Sequence, residues 1–160
     1  MYEHLLVALD GSPAAEHVLL HAETLAQAFG STITLLHAVV SVEMVLAQTA
    51  ATDATVGELA PTLDPDPIIE ADRSSAVEYL ESVAARLRQR NLKVNLEYPE
   101  GPAERVIVER AAADDISLIL MTTHGRGGLG RVVFGSVADS VLRHAPCPVL
   151  LVRVTEKEDS

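Results

Sequence analysis

Ten residues, Thr122-Thr123-His124-Gly125-Arg126-Gly127-Gly128-Leu129-Gly130-Arg131, hold four glycines within six positions and two arginines, and Gly135-Ser136 follows shortly after. Glycine lets backbone N–H groups approach an anion closely, and a helix that starts at such a loop adds a partial positive charge. The pattern therefore suits a phosphate cradle. Two familiar cradles are excluded by their own requirements. The stretch Gly130-Arg131-Val132-Val133-Phe134-Gly135-Ser136 has the glycine and hydroxyl spacing of a P-loop but no lysine. Gly125-Arg126-Gly127-Gly128-Leu129-Gly130 fits G-x-G-x-x-G, yet about twenty residues on, where a dinucleotide fold carries an acid for the ribose, stand Leu150 and Leu151. Hydride transfer is not the expected chemistry.

These residues need a frame. Short apolar runs at residues 5–9, 33–40, 116–121 and 148–154, and an alternating, half-exposed edge strand at 93–98, alternate with segments of helical period. This is the signature of an α/β fold, a single open parallel sheet of five strands with helices on both faces. Asp10-Gly11-Ser12-Pro13 reads as a turn into a helix, with Ser12 as cap and Pro13 at the first helical position. Val18, Ala22, Leu25, Ala26 and Phe29 mark that helix's inner face. Val77, Leu80, Ala84 and Leu87 mark another, and Val106, Ile107 and Ala111 a third. Residues 41–72, rich in Thr and Ala and then in Pro and acids, are expected to form a long flexible connection with a short helix near 42–50. Ligands of such sheets bind beyond the carboxyl ends of the strands. That rule brings together Asp10-Gly11-Ser12, His37-Ala38 and the glycine loop.

Composition narrows the partners. The chain has 160 residues, the size of one domain, and a net charge of −11 from 23 acidic and 12 basic side chains. That field opposes a nucleic-acid backbone and an anionic membrane surface. No apolar run reaches bilayer length, and the five-residue run at 5–9 is shorter than a secretory core. Cys147 has no partner for an internal disulfide. A cytoplasmic setting is the expectation.

The sequence resembles the universal stress protein family over nearly its whole length apart from residues 41–72. Its ATP-binding members carry G-x2-G-x9-G-[ST] after the fourth strand, and here the stretch reads Thr122-x2-Gly125-x9-Gly135-Ser136, with Val137 following. The closing His144-Ala-Pro-Cys-Pro-Val-Leu-Leu-Val-Arg153 is also typical. The resemblance implies the Rossmann-like strand order 3-2-1-4-5, a domain over 1–154 with a polar tail at 155–160, and bound ATP with Mg²⁺. It implies that Asp10 holds the ribose hydroxyls, Ala8 lies beneath the nucleotide, backbone groups of Ala38 read the adenine edge and Met121 packs near it. Gly125, Gly135, Ser136 and the Val137 N–H would hold the phosphates. Thr122 departs from the pattern by standing where the family has its first glycine, which adds bulk near the ribose.

The residues also admit plainer roles. Asp10 suits a βα turn, Ser136 with Asp139 suits a helix cap, and Cys147 suits a small packing role. His37 and His124 sit at neighbouring strand ends but lack a clear third metal ligand. No G-x-S-x-G elbow, Walker-type lysine or identifiable catalytic base is present, so binding without efficient turnover is expected. The working reading is a nucleotide-responsive stress regulator. The alternatives are a nucleotide-free dimeric interaction module, which Thr122 favours, and a weak ATPase. The last strand, apolar on both faces, is expected to join two copies into a homodimer. The sequence names no further protein partner.

Overall fold

The computed structural model describes residues 1–52, 64–113, 115–124 and 135–154, without the side chains of 49–52 and 124. The elements run β1 (His4–Ala8), a 3₁₀ turn (Ala15–His17), α1 (Val18–Phe29), β2 (Thr32–Leu36), α2 (Val42–Thr52), α3 (Asp66–Arg88), β3 (Lys93–Glu97), α4 (Ala103–Ala111), β4 (Leu118–His124), α5 (Ser136–His144) and β5 (Val149–Val154). The five strands form one sheet in the order β3-β2-β1-β4-β5, and every pairing is parallel.

β1 lies at the centre because its side chains are apolar on both faces. Leu5 and Val7 join a core with α1 and α3, while Leu6 joins a second core with α4 and α5. β3 closes one edge, where exposed Lys93 and Asn95 flank buried Val94. The inner faces of the helices follow the apolar pattern with two exceptions. Phe29 is 49 % exposed and Val77 38 % exposed. Phe29 lies at the helix end and packs edge-on against Tyr2 at 5.3 Å rather than entering the core.

The connection expected at 41–72 is largely helical where it is described. α2 occupies 42–52, and α3 is a 23-residue helix that already begins at Asp66. The prolines that read as loop signals sit at its start, with Pro65 as N-cap and Pro67 in the first turn. Proline costs little there, because those N–H groups have no intrahelical acceptor in any case. Asp72 ties this segment to the sheet by accepting a 2.8 Å bond from the Val40 N–H.

Arg110 links Glu97, at the end of β3, to Asp115, just before β4: it donates from Nε to both Glu97 oxygens at 2.9 and 2.8 Å and from its NH groups to both Asp115 oxygens at 2.8 and 3.1 Å. His4 Nδ1 stands 3.0 Å from Asp115 and its Nε2 2.7 Å from the buried Thr34 hydroxyl. The hydrogen bond from Arg110 holds the Asp115 carboxyl down at about 2. A depressed carboxylate stabilises the fold above its unfolded value, about 3.9, and that contribution is lost as pH falls toward 2. Asp115 is half exposed, so screening limits the effect to roughly 0.5–1 kcal/mol. Asp115→Asn is expected to lower the urea midpoint at pH 7 and to flatten its fall between pH 4 and 2. An acid limb identical to wild type would mean that other groups carry it.

Candidate functional site

The strand order reverses between β1 and β4, and there the two strands part. They pair only as far as Val7 with Leu120. Beyond that point Leu9 donates to Leu36 of β2 at 3.0 Å, while β4 continues with β5 to His124. The divergence opens a cleft of about 340 Å³ at the carboxyl edge of the sheet, within the range of small-molecule sites. Its wall is mostly apolar, with Leu36 from β2, Ile107 from α4 and Met121 from β4.

Eight of the nine residues singled out from the sequence meet in this cleft. Ala8 and Asp10 come from the end of β1, Ala38 from the chain after β2, Met121 and Thr122 from β4. Gly135, Ser136 and Val137 come from the start of α5. Gly125 lies outside the described residues, as does the rest of the glycine loop. Met121 is buried, Thr122 half-buried, and Asp10, Gly135 and Ser136 are exposed at the mouth. Sequence reasoning did not anticipate Ala103 and Ile107 of α4, which border the cleft with the same face that packs the core.

Asp10 organises its own turn. Its Oδ1 accepts from the Ser12 N–H at 2.9 Å and from the Ser12 hydroxyl at 2.6 Å, and the Ser12 hydroxyl oxygen accepts from the Ala15 N–H at 3.1 Å. Gly11 takes φ +81°, which lets the chain reverse directly after the aspartate. The plain turn role is therefore present. Asp10 and Glu16 also lie near Tyr79. Burial first, and then these two carboxylates, push the Tyr79 phenol up to about 12.

The start of α5 differs from the expected cap. Gly135, with φ −55° and ψ 158°, is the N-cap, and Ser136 is the first helical residue. Among the described residues no side chain caps the helix. Asp139 is unavailable for a capping box because it pairs with Arg143 one turn on, at 2.9 and 3.2 Å. Among the described residues, the first-turn N–H groups and the positive end of the helix dipole are thus presented at the cleft without a competing side-chain acceptor. The arrangement can receive an anion at the α5 end, a hydroxyl-bearing group at Asp10 and a flat apolar group against Leu36, Ile107 and Met121. Cys147 is half-buried and its thiol is pushed up by burial, which suits packing. Among the described residues no cluster of three His, Cys, Asp or Glu side chains is placed to hold a metal ion.

Comparison with known proteins agrees with this geometry. A universal stress protein of Thermus aquaticus is 31 % identical over 160 residues, covering 96 % of this chain and all of the relative. The solved structure of a universal stress protein of Lactobacillus plantarum superposes with a TM-score of 0.72 at 22 % identity, covering 95 % of this chain and 98 % of that one. A universal stress protein family protein of Arabidopsis thaliana, solved with AMP bound, gives 0.65 at 15 % identity and covers 98 % of this chain and 95 % of its own. Another, solved in complex with cAMP, gives 0.60 at 18 % identity over 96 % and 98 % of the two chains. At these identities the structures speak for the fold. The family model for universal stress proteins matches residues 1–153, so the five-stranded sheet, its split at the β1–β4 switch point and the open start of α5 are carried by a chain that belongs to the universal stress protein family.

Proposed function

We propose that the chain binds ATP with Mg²⁺ in this cleft and acts as a nucleotide-responsive stress regulator without efficient turnover. The observation that carries the reading is the uncapped, glycine-started α5 facing the crevice where β1 and β4 separate, with Asp10 on the opposite rim. In this reading the triphosphate lies against the Gly135, Ser136 and Val137 backbone, with Gly125 contributing from the loop. The ribose meets Asp10 above Ala8, and the base lies between the Ala38 backbone and Met121. Mg²⁺ would be carried on the phosphates, and the Ser136 hydroxyl, in the first turn of α5, would be the side-chain oxygen offered to it. Support comes from the AMP and cAMP carried by two proteins of the same fold.

The sequence offers no Walker-type lysine and no identifiable catalytic base, on which phosphoryl transfer relies, so phosphate release from ATP is expected to stay at background. Half-buried Thr122 favours the second reading, a nucleotide-free dimeric module. The setting we propose is cytoplasmic; no helix among the described residues is long and apolar enough to cross a membrane.

A ligand at about 100 times its dissociation constant stabilises a fold by roughly 2.7 kcal/mol. Each kcal/mol moves the midpoint of a domain this size by roughly 2–4 °C. Saturating Mg·ATP is therefore expected to raise the melting midpoint by about 5–10 °C in a reversible scan. Ser136→Ala is expected to reduce the shift only in part, since backbone donors remain. Thr122→Gly is expected to leave it unchanged or enlarge it. No shift and no heat of binding with wild-type protein would leave the interaction-module reading in its place.

A further inference from the structure

His37 follows β2 directly and lines the cleft beside Asp10. Its backbone is fixed by the bond from its N–H to the Glu97 carbonyl at 3.1 Å. Its ring is fixed twice. One side meets Tyr79 edge-to-face, with centroids 6.2 Å apart and planes at 68°. On another, ring carbon Cε1 lies 3.7 Å from where a Cβ on Gly11 would stand, ordinary contact distance, so the imidazole adjoins the Asp10 turn. Tyr79 projects from α3 and packs, half-buried, against the core that α3 shares with the sheet. The imidazole is therefore a placed group in the cleft wall.

Its two nitrogens are not equivalent. Nδ1 is sealed from solvent and has no hydrogen-bond partner. A neutral imidazole carries one N–H and one lone pair. Orphaned buried N–H groups are rarer and more costly than under-used acceptors. The sealed Nδ1 is then the lone-pair nitrogen, and the hydrogen sits on Nε2. Asp10 beside it is an acceptor only, whereas Nε2–H is a donor only. A hydroxyl is the group that satisfies both at once, giving its hydrogen to the carboxylate and its oxygen lone pair to the imidazole.

We propose that His37 is a specificity-determining residue of the cleft, its Nε2–H donating to a ribose hydroxyl that Asp10 engages as acceptor, so that the pair selects ribonucleotides over deoxyribonucleotides. The proposal rests on the nucleotide reading above and deepens it. It assigns a ligand contact to a side chain, whereas the adenine end is read through the Ala38 backbone. A single neutral hydrogen bond is worth roughly 0.5–1.5 kcal/mol net, or about 3–10-fold in affinity.

The test is calorimetric titration of the full chain with ATP, 2′-deoxyATP and 3′-deoxyATP at fixed salt and Mg²⁺, for wild type, His37→Phe and His37→Gln. Wild type is expected to prefer ATP over at least one deoxy analogue by about 3–10-fold. His37→Phe keeps an aromatic ring against Tyr79. It is expected to lose affinity for ATP by that factor, to bind the same deoxy analogue as wild type does, and so to lose the preference. His37→Gln, which restores an N–H donor, is expected to recover part of it. The proposal is overturned if wild type shows no ribose preference. It is equally overturned if His37→Phe keeps the preference, or weakens ATP and both analogues by the same factor, as a packing defect would. Wild-type protein that binds none of the three nucleotides removes the nucleotide reading itself, and this assignment with it.

Discussion

Gly135→Leu is expected to remove the ATP-dependent rise in melting midpoint entirely, with affinity falling by two orders of magnitude or more. The variant separates binding from folding. The φ of −55° and ψ of 158° at Gly135 are open to any L-residue, and a Cβ there meets nothing within 4 Å. Losing glycine at an N-cap costs roughly 1 kcal/mol or less, so the ligand-free protein should melt within a few degrees of wild type. The leucine would instead stand in the open space before the first N–H groups of α5, which is where the proposed triphosphate lies. Steric exclusion removes every backbone donor together, whereas Ser136→Ala removes one hydroxyl. Their contrast is therefore as informative as either value. A Gly135→Leu protein that still gains 5–10 °C from ATP would move the phosphates away from α5 and end the cradle reading.

The sequence exposes the sheet more readily than the details of its ends. Residues 5–7 and 118–120 are continuous apolar runs, and burial on both faces is the physical meaning of such a run in a parallel sheet. The run at 33–40 overstates its strand. After Leu36 the chain leaves the regular ladder, although the His37 and Val39 N–H groups still reach Glu97 and Pro99 at 3.1 and 2.8 Å. Apolar character cannot distinguish those two conditions. The start of α3 was hidden by Pro65 and Pro67, because proline signals both a broken helix and a first helical turn. At α5, Gly135 and Ser136 are both acceptable N-caps, and only the backbone angles show that the glycine takes the role. The rim residues Asp10, Ala38 and Gly135 converge because the strand order carries them to one crevice. That order came through the family resemblance, since hydropathy carries no information on which parallel strands are neighbours. The strand-end rule places His37 at the cleft, but the contact of its ring with Tyr79, 42 positions away in the chain, is encoded in no local pattern.

Arg153→Pro is expected to convert a homodimer into a monomer without unfolding it. β5 is an edge strand of the sheet, and its Val149, Leu150, Leu151 and Val152 are only half-buried. An apolar edge of this kind invites pairing with another chain. We propose that it pairs antiparallel with its own copy across a twofold axis, the commonest closed arrangement. The ladder decides which residue tests this. The Pro148 carbonyl accepts from the Ile119 N–H of β4 at 3.0 Å, and backbone groups alternate sides along a strand. Leu150, Val152 and Val154 therefore bond β4, while Val149, Leu151 and Arg153 face outward. Proline at 152 would break the internal ladder and confuse dissociation with unfolding. Proline at 153 removes an outward N–H, and the Arg153 side chain it replaces is exposed and outside both cores. Light scattering at micromolar concentration should give wild type twice the 17.1 kDa chain mass and the variant the mass of one chain. Circular dichroism should show the helices retained. A wild-type mass of one chain would refute the dimer, and a dimeric Arg153→Pro protein would move the interface to another face.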